Sequence, residues 1–195
     1  MANTATQFGF RHIGFLSGGA PDYQLSTAAI LSTYTTKIFF GDPVIFSTAS
    51  QYIQPAISSV SVTAIIGGFQ GCEFVPSAGG APVWSPYWPG AQGGDGTAYL
   101  INAKNAKFLA AALLTAIPTT WIGRNVGFST GAGGATTGGG FSSYVVDFAT
   151  LTTTYSQGAF TLIGMYPGVG NGSDTTTSFN WVVVGFNNLC TALIA

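Results

Sequence analysis

The sequence predicts an all-β fold, a single β-barrel or sandwich-like domain with an extended N-terminal arm. From residue 37 onward, short runs rich in Val, Ile, Phe, Tyr and Thr alternate with clusters of Gly, Pro, Asn and Asp, as is typical of short strands joined by turns. Residues 1–35 show no sustained period-2 alternation and carry the breaker sequence GGAP in their middle. Because charged residues make up only 6% of the chain, we expect a largely neutral surface.

Residues 1–35 are therefore predicted to form the arm, and residues 36–195 a β-rich body with one core. The strands predicted for this body are residues 37–40, 44–47, 60–66, 69–75, 97–101, 121–128, 141–148, 159–165 and 180–186. Such a succession of short strands is typical of a sandwich or a barrel.

Residues 105–116 leave two interpretations open. Their sequence, NAKFLAAALLTA, is rich in strong helix formers, begins with an Asn suited to capping a helix, and ends shortly before Pro118. Intrinsic propensity therefore favours a helix. Tertiary contacts can override propensity in an all-β body, so a strand is equally compatible with these residues.

The charge distribution argues against nucleic acid as a partner. The formal net charge is −1, and the basic residues are scattered along the chain rather than gathered into a stripe. A net charge close to zero instead favours contact between protein surfaces, because little long-range repulsion keeps them apart. The basic residues are Arg11, Lys37, Lys104, Lys107 and Arg124.

No membrane partner is expected either. The most apolar run, residues 108–117, is about half as long as a membrane-spanning helix must be. The first ten residues lack the basic start and the apolar stretch of a secretory signal. We therefore expect synthesis in the cytoplasm.

The residue types that carry chemistry form no recognisable arrangement, so the sequence predicts no enzyme, no cofactor and no metal site. His12 is the only histidine, and Cys72 and Cys190 lie far apart. Residues 127–131, GFSTG, match the letters of a nucleophile elbow, but glycines follow instead of a helix, and the histidine lies upstream. The six acidic residues are spread along the chain, and most are explained as turn or cap residues.

Aromatic residues and prolines lie close together over residues 82–90, PVWSPYWPG. Trp84, Tyr87 and Trp88 are candidates for a flat platform that binds a sugar ring. The same rings are also suited to a core or to an interface between protein subunits, where Trp and Tyr are enriched. The sequence favours the core or interface interpretation.

The order of several segments resembles head decoration, or cement, proteins of tailed bacteriophages. The resemblance covers most of the chain. Its segments are GFRHIGFLSGGAPDYQL at residues 9–25, KIFFGDPVIF at 37–46, GGFQGCEFV at 67–75, PYWPG at 86–90, AYLI at 98–101, IGRNVGF at 122–128 and NWVVVGFN at 180–187. The Ala-rich residues 105–116 and the long glycine loop depart from the family pattern.

This resemblance implies a small, largely β protein that binds the outside of an icosahedral capsid and reinforces the shell. The implied partners are the major capsid protein and further copies of the chain, as a dimer or trimer, and the implied location is the capsid exterior of the virion. The candidate oligomer or surface contacts are Trp84, Tyr87 and Trp88.

On this hypothesis the arm reaches along neighbouring capsid subunits and adds a strand to an exposed sheet edge. Its candidate capsid contacts are Arg11, His12 and Phe15. Deletion of the first twenty residues is expected to leave a folded protein that no longer binds capsids. Two alternatives stay open: a carbohydrate-binding module on the virion surface for host attachment, and a shell or tail-tube subunit.

Overall fold

Strands account for nearly all of the regular structure. The computed structural model describes residues 7–21, 25–47, 50–56, 65–114, 116–130, 141–154, 156–166, 180–187 and 189. Among these residues there is no α-helix, and the all-β prediction is confirmed. The strands are β1 (Arg11–Phe15), β2 (Ser26–Ile30), β3 (Ile38–Phe39), β4 (Pro43–Phe46), β5 (Ile53–Pro55), β6 (Gly67–Phe74), β7 (Val83–Ser85), β8 (Tyr87–Trp88), β9 (Gly96–Ile101), β10 (Ala106–Ala112), β11 (Asn125–Thr130), β12 (Tyr144–Thr152), β13 (Phe160–Met165) and β14 (Asn180–Phe186).

Five strands close into a barrel. Their order is β10-β12-β11-β13-β14, and antiparallel pairing between β10 and β14 completes the circle. Aromatic rings fill the interior: Phe160 stacks on Phe10 with ring centroids 4.3 Å apart and on Phe186 with centroids 5.7 Å apart. Because each buried Phe contributes about 1.5–3 kcal/mol, this ring cluster is a main source of the barrel's stability.

The Ala-rich segment is a strand, which settles the choice between helix and strand. β10 pairs with β14 from Lys107 to Ala112, and its N-terminal half also pairs with β1. Ala110, Ala111 and Ala112 are all fully buried. The segment forms a strand because both of its backbone edges are hydrogen-bonded and both of its faces are covered. These interactions outweigh the intrinsic preference for a helix, which is only a few tenths of a kcal/mol per residue.

A second sheet lies beside the barrel in the order β2-β9-β6-β4-β5, with β7 also paired to β6. One of its faces is buried in a separate hydrophobic cluster that includes Phe69, Leu100 and Trp88. The short pair β3–β8 contributes Ile38 and Trp88 to this cluster. Along β2 and β9, buried residues alternate with exposed ones, so the opposite face of the sheet is open.

The predicted extended arm is not confirmed. β1 pairs with β10, β2 pairs with β9, and Phe10 is buried in the barrel core. Residues 11–15 and 26–30 are therefore sheet strands, and a boundary at residue 35 does not separate an arm from a body. Period-2 alternation is lost in β1 because the register shifts between His12 and Gly14. Residues 1–6 and 22–24 lie outside the described residues.

Several predicted strand boundaries change. The predicted strands at 37–40, 44–47, 69–75, 97–101, 159–165 and 180–186 correspond to observed ones. The strand predicted over 121–128 begins at Asn125, because Thr119–Trp121 form a 3-10 helix. The strand predicted over 141–148 begins at Tyr144. Of the strand predicted over 60–66, residues 60–64 lie outside the described ranges, and Ile65 forms only an isolated bridge.

Gly9 ties the N-terminal segment to the rest of the fold. Its φ of 69° is in the left-handed region, and a Cβ there would overlap the side chain of Ser142 and stand 2.8 Å from the carbonyl oxygen of Gly41. The amide of Phe10 donates to that same Gly41 oxygen at 2.9 Å. Three distant parts of the chain therefore meet around a residue without a side chain.

We predict that Gly9→Ala lowers the free energy of unfolding by roughly 2–4 kcal/mol, because both backbone strain and overlap oppose a Cβ. Gly18→Ala is the matched control, since its φ of 86° is also positive but nothing lies within 4 Å of the added Cβ. We expect this control to cost only about 1 kcal/mol. Urea unfolding of both variants makes the comparison, and equal losses would mean that the segment before β1 is not held in the fold.

Candidate interaction surfaces

Arg11 lies among three aromatic rings, and we call Phe8, Arg11, Phe40 and Phe141 the Arg11 surface. The guanidinium carbon is 4.7 Å from the ring centroid of Phe141, 5.0 Å from that of Phe40 and 6.0 Å from that of Phe8. Its Nε donates to the carbonyl oxygen of Phe8 at 3.4 Å. These distances are those of cation–π contacts, which orient a cation and hold it against the ring faces.

Three separate parts of the chain assemble this surface. Phe8 precedes β1, Phe40 follows β3, and Phe141 precedes β12. Phe40 and Phe141 form an isolated parallel bridge, and the amide of Ser142 donates to the carbonyl oxygen of Phe40 at 3.1 Å. The junction at Gly9 therefore positions all four side chains of the Arg11 surface.

The charge of Arg11 is only partly compensated. Burial lowers the pKa of the guanidinium, and no described carboxylate pairs with it. Phe141 beside it remains 48% exposed. The Arg11 surface thus combines a half-buried cation with an exposed aromatic ring. Because the rings and one carbonyl orient the cation, a binding partner that carries a hydrogen-bond acceptor can contact the cation and the exposed ring together.

The other two predicted arm contacts lie elsewhere. The His12 ring centroid is 5.0 Å from that of Phe15 and 5.7 Å from that of the core residue Phe108. Phe15 also lines a shallow pocket of about 510 Å³ with Ser17, Leu25, Ser26, Asn102, Ala103 and Asn105. His12 and Phe15 therefore contact each other, whereas the cation–π contacts of Arg11 are with Phe8, Phe40 and Phe141.

Trp84, Tyr87 and Trp88 do not form a common platform. Trp88 is fully buried and donates from Nε1 to the carbonyl oxygen of Tyr34 at 2.9 Å, which makes it a core residue. Tyr87 stacks on Phe39, with ring centroids 6.0 Å apart. Trp84 alone is open, with 63% of its surface exposed. The two Trp side chains differ because Trp88 faces the hydrophobic cluster, whereas Trp84 lies on the edge strand β7.

No local sequence pattern identifies Phe8, Phe40 and Phe141 as neighbours of Arg11. They are up to 130 positions away in sequence, and Phe141 follows the glycine run as an isolated ring. By contrast, the alternating pattern of residues 97–101 predicts that Tyr99 faces away from the buried Leu100. The outward position of Tyr99 can therefore be predicted from the sequence.

A buried carboxylic acid lies beside the Arg11 surface. Oδ2 of Asp42 accepts the backbone N–H of Phe39 at 2.8 Å, whereas Oδ1 has no hydrogen-bond partner among the described residues. Burial raises the pKa of Asp42 to about 7, although the Phe39 amide and the Ser142 hydroxyl act in the opposite direction. The turn that carries Phe40 therefore contains an acid that titrates near neutral pH.

The comparisons with known proteins give no family: no protein-family model, curated protein or solved structure matches the chain. In the described part of the chain, three or more His, Cys, Asp or Glu side chains nowhere come together as a metal centre would require. Within the same ranges, no helix has the length and apolar character needed to cross a membrane. The geometry of the exposed surfaces around Arg11 and around Trp84 is the basis for the functional proposals.

We predict that Asp42→Asn flattens the dependence of stability on pH. In the wild type the folded-state pKa of about 7 lies above the usual 3.8, so its contribution to stability is complete below about pH 4 and is lost as pH rises to about 7. The size of this loss is on the order of 4 kcal/mol. Asn keeps an acceptor for the Phe39 amide but cannot ionise.

Urea unfolding of both proteins at about pH 4, 5.5, 7 and 8 measures the effect. The free-energy difference between variant and wild type is expected to grow in favour of Asn over this range. Parallel pH profiles for the two proteins would show that Asp42 does not titrate in the folded state as described.

Proposed function

We propose that the chain is a decoration, or cement, protein that binds the outer surface of a tailed-phage capsid, and that the Arg11 surface is its capsid contact. The observation that carries the docking role is the half-buried Arg11 guanidinium, set among three rings and without a described carboxylate partner. The resemblance of the ordered sequence segments supports a capsid as the docking partner. The neutral composition supports the same role, because it favours contact with another protein surface.

The Arg11 surface has the chemistry of an interface hot spot. Arg and aromatic residues contribute most of the binding energy in many interfaces, particularly when water is excluded around them. The rings of Phe40 and Phe141 already orient the guanidinium, so less side-chain freedom is lost on binding. The complementary group on the capsid subunit is a carboxylate or a backbone carbonyl, either of which accepts hydrogen bonds from a guanidinium.

The largely neutral surface around this one cation suits contact with a capsid. Hydrogen bonds and apolar contacts are weakly screened by salt, in contrast to exposed ion pairs. Repeated contacts on a lattice add avidity, so each single contact can be modest. A dimer or trimer of the chain would use other exposed apolar side chains, such as Leu16, Val83 and Leu113.

We predict that Arg11→Gln and Phe141→Ala each weaken binding to capsids roughly tenfold or more, as expected for hot-spot residues. The measurement is co-sedimentation with expanded heads of the encoding phage that lack this protein. Two variants are controls. Arg124→Gln removes a positive charge just before β11, and Ile122→Ala removes an aliphatic side chain that is 45% exposed, close to the 48% of Phe141. Both control variants are expected to bind as the wild type does.

Arg11→Lys separates geometry from charge, since it keeps the cation but loses the planar guanidinium. Its binding is expected to fall between that of the wild type and Arg11→Gln. Unfolding curves for all variants show whether the fold is retained. Wild-type binding by a folded Arg11→Gln protein, or equal losses in the two controls, would contradict the proposed contact.

A further inference from the structure

The open face of the second sheet carries a row of side chains that the capsid contact does not use. Strand pairing sets Glu73 opposite both Trp84 and Thr97, and Tyr99 opposite Thr27. Alternation along each strand directs these side chains away from the buried cluster. Adjacent strands are about 4.8 Å apart, so the side chains from β7 to β2 form a continuous strip.

Trp84 lies across the main chain of Gly71 at one end of this strip. A Cβ on Gly71 would stand 2.8 Å from Cζ2 and 3.2 Å from Cε2 of the indole. Gly71 has a φ of 146° and follows a register shift in β6, where the bulge leaves room for the ring. Contact with the Gly71 backbone on one side, together with 63% exposure, leaves the other side of the indole open to a ligand.

Glu73 supplies an uncompensated carboxylate next to the indole. Its Oε2 accepts the phenolic O–H of Tyr99 at 3.2 Å, and this hydrogen bond raises the pKa of Tyr99. The four strands of the strip contain no Lys or Arg. The strip therefore presents one aromatic face, one negative charge and a set of hydroxyl groups.

We propose that this strip binds a neutral glycan. The C–H face of a pyranose ring is apolar and packs on an open indole, while its hydroxyl groups donate to Glu73 and accept from Thr97. The carboxylate repels phosphate, sulfate and uronate groups, which disfavours nucleic acid and acidic glycans. A quaternary ammonium ligand is less suited, because its recognition uses several rings around the cation and the strip offers only one open indole.

This site is independent of the Arg11 surface, since it lies on different strands and uses different side chains. The proposed capsid contact can therefore fail while glycan binding holds, and the reverse is also possible. A protein with both surfaces would attach to a capsid through one and to a carbohydrate through the other.

The test is a titration of the full chain with neutral hexaoses of β-1,4-linked glucose, β-1,4-linked N-acetylglucosamine and α-1,4-linked glucose, followed by tryptophan fluorescence and calorimetry. At least one hexaose is expected to bind below about 1 mM, with a blue shift and protection of an exposed Trp from acrylamide quenching. Trp84→Ala is expected to weaken binding about tenfold or more, and Glu73→Gln about threefold or more.

The control variants are Phe141→Ala, which removes an exposed ring from the Arg11 surface, and Arg11→Gln. Both are expected to bind the hexaose as the wild type does. Trp84→Phe keeps a flat ring without the indole fluorescence, so it should retain part of the affinity and lose the spectral change. Trp88 is buried, and Trp121 and Trp181 lie on elements outside the strip.

Four results would overturn the glycan site. The first is the absence of binding by every hexaose up to about 10 mM. The second is binding that a folded Trp84→Ala protein retains in full. The third is stronger binding of choline or of a sulfated oligosaccharide than of any neutral hexaose. The fourth is loss of capsid binding by Trp84→Ala without any glycan binding by the wild type, which would assign the strip to the capsid.

Discussion

The pairing of β10 with three other strands is the interaction on which the rest of the structure depends. β10 closes the barrel through six residue pairs with β14. It also pairs with β12 at Ala112 and with β1 along its N-terminal half. Its alanines are small enough to be covered on both faces. Because Arg11 is paired with Leu109, the position of the Arg11 surface follows directly from the register of β1 on β10.

Each of the two exposed surfaces lies next to a β-bulge that contains a glycine. Gly14 in β1 and Gly71 in β6 each have a φ of 146° and each follow a register shift in the strand. In β1 the bulge places His12 and Phe15 together, while Arg11 joins a different cluster. In β6 the bulge leaves a position without a side chain, and the Trp84 indole occupies it. Bulges of this kind commonly redirect side chains at sheet edges.

The sequence predicted the fold class well because strand patterning is a local property. β14 has the bounds predicted for residues 180–186, and burial alternates from Asn180 to Val184 as expected of a strand. The extended arm is not confirmed, because β1 is paired although Gly14 interrupts the alternation of its sequence. For residues 105–116, only closure of the barrel distinguishes strand from helix, and closure depends on partner residues 68–78 positions away in sequence.

The surfaces were harder to predict than the fold, because they are assembled from distant residues. Arg11 was identified, yet its ring partners at positions 40 and 141 carry no spacing signal. Trp84 and Trp88 look equivalent in sequence, but only Trp84 is exposed. Side-chain direction on a short edge strand depends on its pairing, and this pairing with β6 is a tertiary contact.

The proposed function requires the Arg11 surface to contact a larger protein shell. The most direct measurement is an electron cryo-microscopy map of expanded phage heads carrying this protein, at a resolution that shows side chains. The account predicts that Arg11 and Phe141 are buried against a capsid subunit, with a carboxylate or carbonyl oxygen within hydrogen-bond distance of the guanidinium. A bound protein whose Arg11 surface faces solvent, or heads that carry none of it, would contradict the account.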